Sequence, residues 1–132
     1  MSFIQLKGLN DVREKKPAPE GVYPLCVTNA KLTEKEGKKN VQLILEIEGT
    51  DEDYANIFHY LALPRGEDPA KDQTMMLMIK RFLTQFGVPT EDGFDIEALV
   101  GCRSDCMLKQ DMYEGNVKNV IQLDRLPAES DE

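Results

Sequence analysis

Residues 72–87, DQTMMLMIKRFLTQFG, decide the fold. Apolar residues recur there at the spacing of one helical face, so the stretch predicts an α-helix. Asp72 suits the N-cap, because its carboxylate can accept hydrogen bonds from free amides of the first turn. Gly87 suits the stop. A second set of apolar residues widens the face, so we expect a helix buried on more than one side. The first set is Met75, Met78, Ile79, Phe82 and Phe86, and the second is Met76, Leu77 and Leu83.

Five strand-like segments surround this helix, three before it and two after it. Their apolar and polar residues alternate with a period of two, the pattern of half-buried strands. A change of phase near Asn29 predicts a β-bulge in the first strand. Glycine-containing turns at residues 34–40 and 111–116 predict two hairpins. The segments are residues 21–33, 41–48, 56–63, 102–110 and 117–126.

Three strands, a helix and two strands is the element order of the oligonucleotide/oligosaccharide-binding (OB) fold, a five-stranded Greek-key barrel. We therefore predict a mainly β protein with one main α-helix, which lies between strands 3 and 4 and plugs the open end of the barrel. Residues 21–126 form this domain, residues 1–20 an N-terminal extension and residues 127–132 a short acidic tail. The apolar residues of the extension either dock as a short strand or lie loose; they are Phe3, Ile4, Leu6 and Leu9.

The composition is that of one globular domain, with 132 residues, 41% hydrophobic and 30% charged. No apolar run approaches the roughly 20 residues that a membrane span needs. The N-terminus lacks the basic-then-apolar order of a signal peptide. We therefore expect a cytoplasmic protein with no membrane partner. The net charge of −8 argues against a general nucleic-acid binder, so a nucleic-acid site must rest on local basic patches.

Phe58 and Tyr60 form the first candidate site. They are two residues apart on the third strand, so their side chains stand about 7 Å apart on one face. Ile57 and Leu61 fit the core face, which puts both rings outside, where each can stack on a base. Two alternatives stay open. The rings can cover a second small core, or a one-residue register shift can turn them inward and His59 outward.

Basic residues at the two hairpins form the second candidate site. In barrels of this kind, the loops between strands 1 and 2 and between strands 4 and 5 flank the ligand groove. Lysines there can hold phosphates, and one tyrosine can stack on a base. The alternative is a pair of solvated turns, because acidic residues in both turns dilute the positive charge. The candidates are Lys31, Lys35, Lys38 and Lys39 at the first hairpin, and Lys109, Tyr113 and Lys118 at the second.

Catalytic and metal-binding patterns do not emerge from the sequence. His59 is the single histidine, and no nucleophile-elbow, zinc-protease, P-loop or dinucleotide-binding motif occurs. The carboxylates show no spacing that selects a magnesium site. Cys102 and Cys106 have no second ligand pair nearby, so buried thiols are a better interpretation than zinc. The odd number of three cysteines argues against a disulfide framework. We expect a protein that is not an enzyme and uses no cofactor.

Five stretches in a fixed order carry a family resemblance: MSF, PAPEGVYPLCVTNAKL, EGKKNVQLILEIEG, NIFHYLAL and IEALVGCR. Together they resemble small phage-encoded single-stranded DNA-binding proteins with an OB-type barrel, over residues 17–126. The resemblance implies coating of single strands during phage DNA replication or recombination in the host cytoplasm. The acidic tail resembles the tails through which single-strand binders recruit replication or recombination proteins. Those tails usually end in an aromatic or apolar residue, whereas this one ends in Asp131 and Glu132.

The sequence therefore predicts a protein that binds single-stranded DNA without strong sequence preference, through base stacking and phosphate contacts. A homo-oligomer is compatible with this function. The alternative is a protein-binding module, an adaptor or an inhibitor of a basic host protein, which uses its acidic surface. A preference for single over double strands would distinguish the two.

Overall fold

The computed structural model describes residues 2–12 and 14–123, so the acidic tail at residues 127–132 lies outside the described chain. The protein is mainly β with one main α-helix between the third and fourth strands, as the sequence predicted. Two short 3-10 helices, Leu9–Asp11 and Ile96–Leu99, lie in the connections. The main elements are β1 (Gly21–Lys35), β2 (Lys38–Ile47), β3 (Ile57–Ala62), α1 (Pro69–Gln85), β4 (Arg103–Tyr113) and β5 (Asn116–Ile121).

The five strands form one antiparallel sheet in the order β3-β2-β1-β4-β5. β1 is the shared strand: its first half pairs with β4 and its second half with β2, while Leu25 and Cys26 pair with both. The register shifts between Val27 and Asn29, which confirms the predicted bulge. The extra residue, Thr28, is tied to β2 by its hydroxyl, which donates to the Ile44 carbonyl at 3.1 Å.

The edges of this sheet differ from the expected closed barrel. Cα atoms of β3 and β5, the two edge strands, come within 8 Å of each other, but within residues 2–12 and 14–123 no backbone ladder joins the strands. Each has only six residues in its strand. The structure therefore has an open five-stranded sheet where the sequence predicted a barrel.

Both hairpin turns are tighter than predicted. Glu36 and Gly37 have φ angles of 54° and 78°, and Glu114 and Gly115 have 51° and 81°. Positive φ at both central residues defines the two-residue turn whose twist matches that of the strands. The strands consequently run up to the turns, whereas the sequence placed longer polar loops at residues 34–40 and 111–116.

A single core fills the space between the sheet and α1. Phe82 of α1 is fully buried at its centre. Its ring stacks on Phe86, with centroids 4.5 Å apart, and on His59 of β3 at 5.2 Å. The first three strands supply most of the fully buried aliphatic residues around it, namely Leu25, Val27, Val41, Leu43, Leu45, Ile57 and Leu61.

The helix begins one turn earlier than predicted. Asp68 is the N-cap, and its Oδ1 accepts hydrogen bonds from the backbone N–H of Ala70 at 3.0 Å and of Lys71 at 3.4 Å. Proline at position 69 suits the first turn, where no N–H is required. The predicted cap, Asp72, instead fastens the preceding loop, because its carboxylate accepts the backbone N–H groups of residues 65 and 66.

Only one face of α1 is buried. Ile79, Phe82, Leu83 and Phe86 pack in the core, whereas Met76, Leu77 and Met78 are exposed. The expectation of a helix buried on more than one side is therefore wrong. These exposed apolar residues lie at the middle of the helix, and Met76 and Leu77 border an open cleft.

The segment before β1 is fixed at two points. The Lys16 N–H donates to the Asp53 carbonyl at 3.2 Å, and the Ala55 N–H donates to the Lys16 carbonyl at 2.9 Å. Ala18 is buried, and its N–H and C=O pair with the side-chain amide of Asn119 at 2.8 and 2.9 Å. This segment therefore crosses from the β2–β3 loop to β5.

We expect Phe82→Ala to lower the free energy of unfolding by about 3–5 kcal/mol, because it empties the centre of the core. Chemical denaturation measures this change. Met76→Ala on the exposed face of the same helix is the matched control, with a change under about 0.5 kcal/mol. Equal losses in the two variants would contradict the assignment of the buried face.

His59 lies inward, stacked on Phe82, and its Nε2 is buried without a hydrogen-bond partner among the described residues. Burial lowers its pKa to about 4. In the unfolded chain the pKa returns to about 6.5, so between these values the unfolded state binds more protons. The contribution of His59 to stability is thus complete above about pH 6.5 and is lost as the pH falls toward 4.

We expect His59→Phe to remove this pH dependence, since phenylalanine keeps the stack and does not titrate. Between pH 6.5 and about 4, the wild type should lose stability relative to the variant by up to about 1.4 kcal/mol per pH unit. Denaturation of both proteins across that range measures this difference, because the titration of their shared carboxylates affects both stabilities equally and cancels. Parallel stability curves would show that His59 titrates normally.

Candidate nucleic-acid interface

The outer face of β1–β3 carries the predicted aromatic pair. Residues directly opposite in antiparallel strands share a face. Tyr60 lies opposite Gln42, Gln42 opposite Lys31, and Phe58 opposite Ile44. The side chains of Phe58 and Tyr60 are 48% and 56% exposed. Their expected position outside the core is confirmed, and their role in binding stays a prediction.

Ile44 explains how the two rings sit on the surface. The register places it on the outer face of β2, between Phe58 of β3 and Asn29 of β1. It is half-buried there and gives the ring of Phe58 an apolar neighbour. Adjacent strands are about 4.8 Å apart, so the rings on β3 lie about 10 Å from the outer face of β1. A nucleotide can bridge such a distance from its base to its phosphate.

Three lysines share the outer face with the rings. Lys31 and Lys35 are four residues apart on β1, and Lys35 lies directly opposite Lys38 across the hairpin. All three are exposed. Like charges directly opposite each other destabilise a sheet. An anion between Lys35 and Lys38 would relieve this repulsion, which makes the pair suitable for a phosphate.

Lys39 lies on the other face of the sheet, because neighbouring residues along a strand point to opposite faces. It lies opposite Glu34, whereas Lys38 lies opposite Lys35. It nevertheless meets Lys38 again at a cleft of about 370 Å³ between the hairpin and the loop after β3. Arg65 lines the same cleft, and so do the acidic residues Glu36 and Glu67. Three cationic side chains thus line one cleft, and two carboxylates reduce its positive electrostatic potential.

Backbone hydrogen bonds fix the geometry of this cleft. The Leu63 N–H donates to the Lys39 carbonyl at 3.0 Å and joins the end of β3 to the hairpin. The carboxylate of Asp72 accepts the N–H groups of Arg65 and Gly66 and holds the loop. Sequence reasoning missed Arg65, which stood in a polar loop. Its position two residues after a core strand was the available signal.

The second hairpin is placed elsewhere. Lys109 lies opposite Val120, and Lys118 opposite Asp111. The backbone of Tyr113 pairs with Asn116, and its side chain is not described. Sequence reasoning grouped these residues with the first hairpin.

Strand pairing separates the two hairpins. The β4–β5 hairpin extends beyond Gly21, the start of β1, whereas the first hairpin extends beyond Lys35, the end of β1. The register therefore unites Lys31, Lys35 and Lys38 with the rings. It does not place Lys109 and Lys118 beside them.

Two cations outside this surface are held by carboxylates. Arg103 Nε donates to both carboxylate oxygens of Glu48, at 2.9 and 3.0 Å, and this pairing raises the pKa of Arg103. Lys16 Nζ contacts Glu52 at 2.6 Å, which raises the pKa of Lys16 and lowers that of Glu52. These pairs fasten loops at the other end of the sheet.

Other kinds of site receive little support from the described residues. Among residues 2–12 and 14–123, no group of three histidine, cysteine or acidic side chains is placed to hold a metal ion. In the same ranges, no helix is long and apolar enough to cross a membrane. The cysteines are free thiols, and burial raises the pKa of Cys106 to about 11. That thiol is protonated at neutral pH and fills space in the core.

No protein-family model matches the sequence, and no curated protein matches it. The geometry of two exposed rings in register with a lysine row consequently carries the functional conclusion.

Proposed function

We propose that the protein binds single-stranded DNA without sequence preference on the outer face of β1–β3. One observation carries the proposal: Phe58 and Tyr60 are exposed on β3, and Tyr60 lies in register with Lys31 of β1 across the intervening strand β2. Bases stack on the rings, each stack contributing roughly 1–3 kcal/mol. The phosphates turn toward Lys31, Lys35 and Lys38. The resemblance adds a role in phage DNA replication or recombination, in the host cytoplasm, with partner proteins recruited through the acidic tail.

The proposal includes an OB-type fold. In that fold a bent first strand is shared between two hairpin pairs, and a helix connects the third and fourth strands. The double pairing of β1, its bulge after Val27 and the position of α1 all support this assignment. The approach of β3 and β5 supports a Greek-key path that returns toward closure.

Net charge favours a second candidate function. At −8 the chain repels a polyanion at long range, so DNA must be held by short-range contacts. An adaptor or an inhibitor of a basic host protein would use this charge directly. Titration with labelled thymine oligomers of increasing length separates the two functions. A single-strand binder gains affinity up to its site size and prefers single to double strands, whereas the adaptor binds neither.

We expect Phe58→Ala and Tyr60→Ala each to weaken DNA binding by roughly 1–3 kcal/mol, since each removes one stacking surface. Stability should change by only about 0.2–1 kcal/mol, because the rings contribute cross-strand packing alone. Fluorescence titration and thermal melting on the same proteins measure both quantities. Val22→Ala, an exposed apolar residue near the other end of β1, is the control and should bind normally. Large melting losses with intact binding would assign the rings to packing.

We expect the double variant Lys38→Ala, Lys39→Ala to bind all single-stranded sequences more weakly. Each lost phosphate contact lowers the slope of log affinity against log salt by about 0.7 for single strands. Lys38 supplies one contact and Lys39 can supply a second through the cleft that the two share, so the slope should fall by about 0.7–1.4 units. Lys71→Ala with Lys80→Ala on α1 changes net charge equally and should leave the slope nearly constant. An unchanged slope in the hairpin variant would mean that this turn is only solvated.

A further inference from the structure

We propose that an apolar cleft beside α1 receives the N-terminal arm, residues 2–12, of a second copy of this chain. The resulting contact runs head to tail, from the arm of one copy to the cleft of the next. This proposal concerns a surface away from the rings of β3 and does not depend on DNA binding.

The cleft lies between α1, the end of β3 and the loop at residues 88–94, and has a volume of about 540 Å³. Leu63, Leu77 and Phe94 line it together with Met76, which is 56% exposed. The volume falls within the range of about 300–1,000 Å³ typical of binding clefts. The cleft can therefore take one or two large apolar side chains.

The arm presents such side chains. Phe3 is 88% and Ile4 is 75% exposed, and Leu6 and Leu9 are exposed as well. The arm also has a hydrogen-bonded turn, in which the Leu9 N–H donates to the Leu6 carbonyl at 3.3 Å and Gly8 has a φ of 82°. Exposed apolar side chains close together are typical of interaction surfaces, and the arm carries four of them within residues 3–9.

The charges of arm and cleft are complementary. Residues 2–16 contain four basic and two acidic side chains, in a chain whose net charge is −8, and Lys15 lies three residues beyond the end of the arm. The loop beside the cleft carries Glu91, Asp92 and Asp95, and residues 88–95 include no basic residue. Lys80 of α1 also lines the cleft, so the cleft and its adjoining loop carry three acidic side chains and one basic side chain. A segment of net positive charge thus faces a groove of net negative charge, which favours this chain's own arm as the occupant.

The described arm lies outside the cleft of its own chain, because Phe3 and Ile4 of the arm and Met76 of the cleft are all exposed. The arm leaves the body at Lys16, which is bonded to the Asp53 carbonyl and to the Ala55 N–H before β3 begins. The cleft starts at Leu63, after β3 ends. The six residues of β3 separate them by about 20 Å. Donor and acceptor surfaces at opposite ends of one chain give a heterologous contact, which builds rings or open chains.

Sedimentation velocity over a range of protein concentrations tests the contact. We expect the wild type to self-associate. Deletion of residues 1–12, or Leu77→Glu in the cleft, should raise the dissociation constant by about tenfold or more, because each removes an apolar contact. Met112→Glu is the matched control, since it adds the same charge at an exposed apolar residue of the β4–β5 hairpin. Melting curves verify that each variant is folded.

A mixing experiment identifies the two surfaces directly. The arm-deleted protein keeps its cleft, and the Leu77→Glu protein keeps its arm. Each alone should be monomeric, whereas the mixture should give a one-to-one complex that grows no further. A monomeric wild type, self-association that survives arm deletion, or a mixture without the complex would overturn the proposal. A monomer whose melting temperature falls on arm deletion would show that the arm binds its own chain, which also overturns it.

Discussion

The double pairing of β1 is the constraint on which the rest of the structure depends. One edge of β1 pairs with β4 along its first half, and the other edge pairs with β2 along its second half. The bulge at Thr28 bends the strand near the point where one pairing gives way to the other. The same bulge keeps both halves in phase with the core, because Leu25 and Val27 before it are buried and Ala30 after it packs against the core. The helix then fills the space that the bent sheet leaves, with Phe82 at its centre.

The alternation of β3 links this core to the surface. His59 stacks on Phe82, so the residues on either side of it must face outward. Phe58 and Tyr60 are thus exposed because a histidine is not, and a shift of one residue would exchange the two sets. The inward histidine and the outward aromatic pair therefore have the same cause, the alternation of side chains along β3. The same alternation leaves the His59 Nε2 buried without a partner within the described chain.

The sequence predicted the strands, the helix and the bulge because burial imposes their periods on the apolar residues. It misplaced the helix start, since Asp68 and Asp72 both suit a cap and only the folded loop shows that Asp72 bonds Arg65 and Gly66. The hairpin ends were hidden because their residues are polar and have no apolar period. The site was predicted in the part that depends on alternation along one strand. Arg65 and the opposite face of Lys39 depend on contacts between strands and loops, which no local pattern encodes.

The pairing of Asn119 with Ala18 has a consequence for where the folded unit begins. The side-chain amide of Asn119 accepts from the Ala18 N–H and donates to the Ala18 carbonyl, as the backbone of a neighbouring strand would. Gln110 Nε2 donates a further hydrogen bond to the same carbonyl. A protein trimmed to the first residue of β1 would keep every strand and still leave a buried amide without these partners, at a cost of about 1–3 kcal/mol. The smallest autonomous unit therefore includes a stretch of chain with no regular secondary structure, whose inclusion is dictated by one side chain about a hundred residues away.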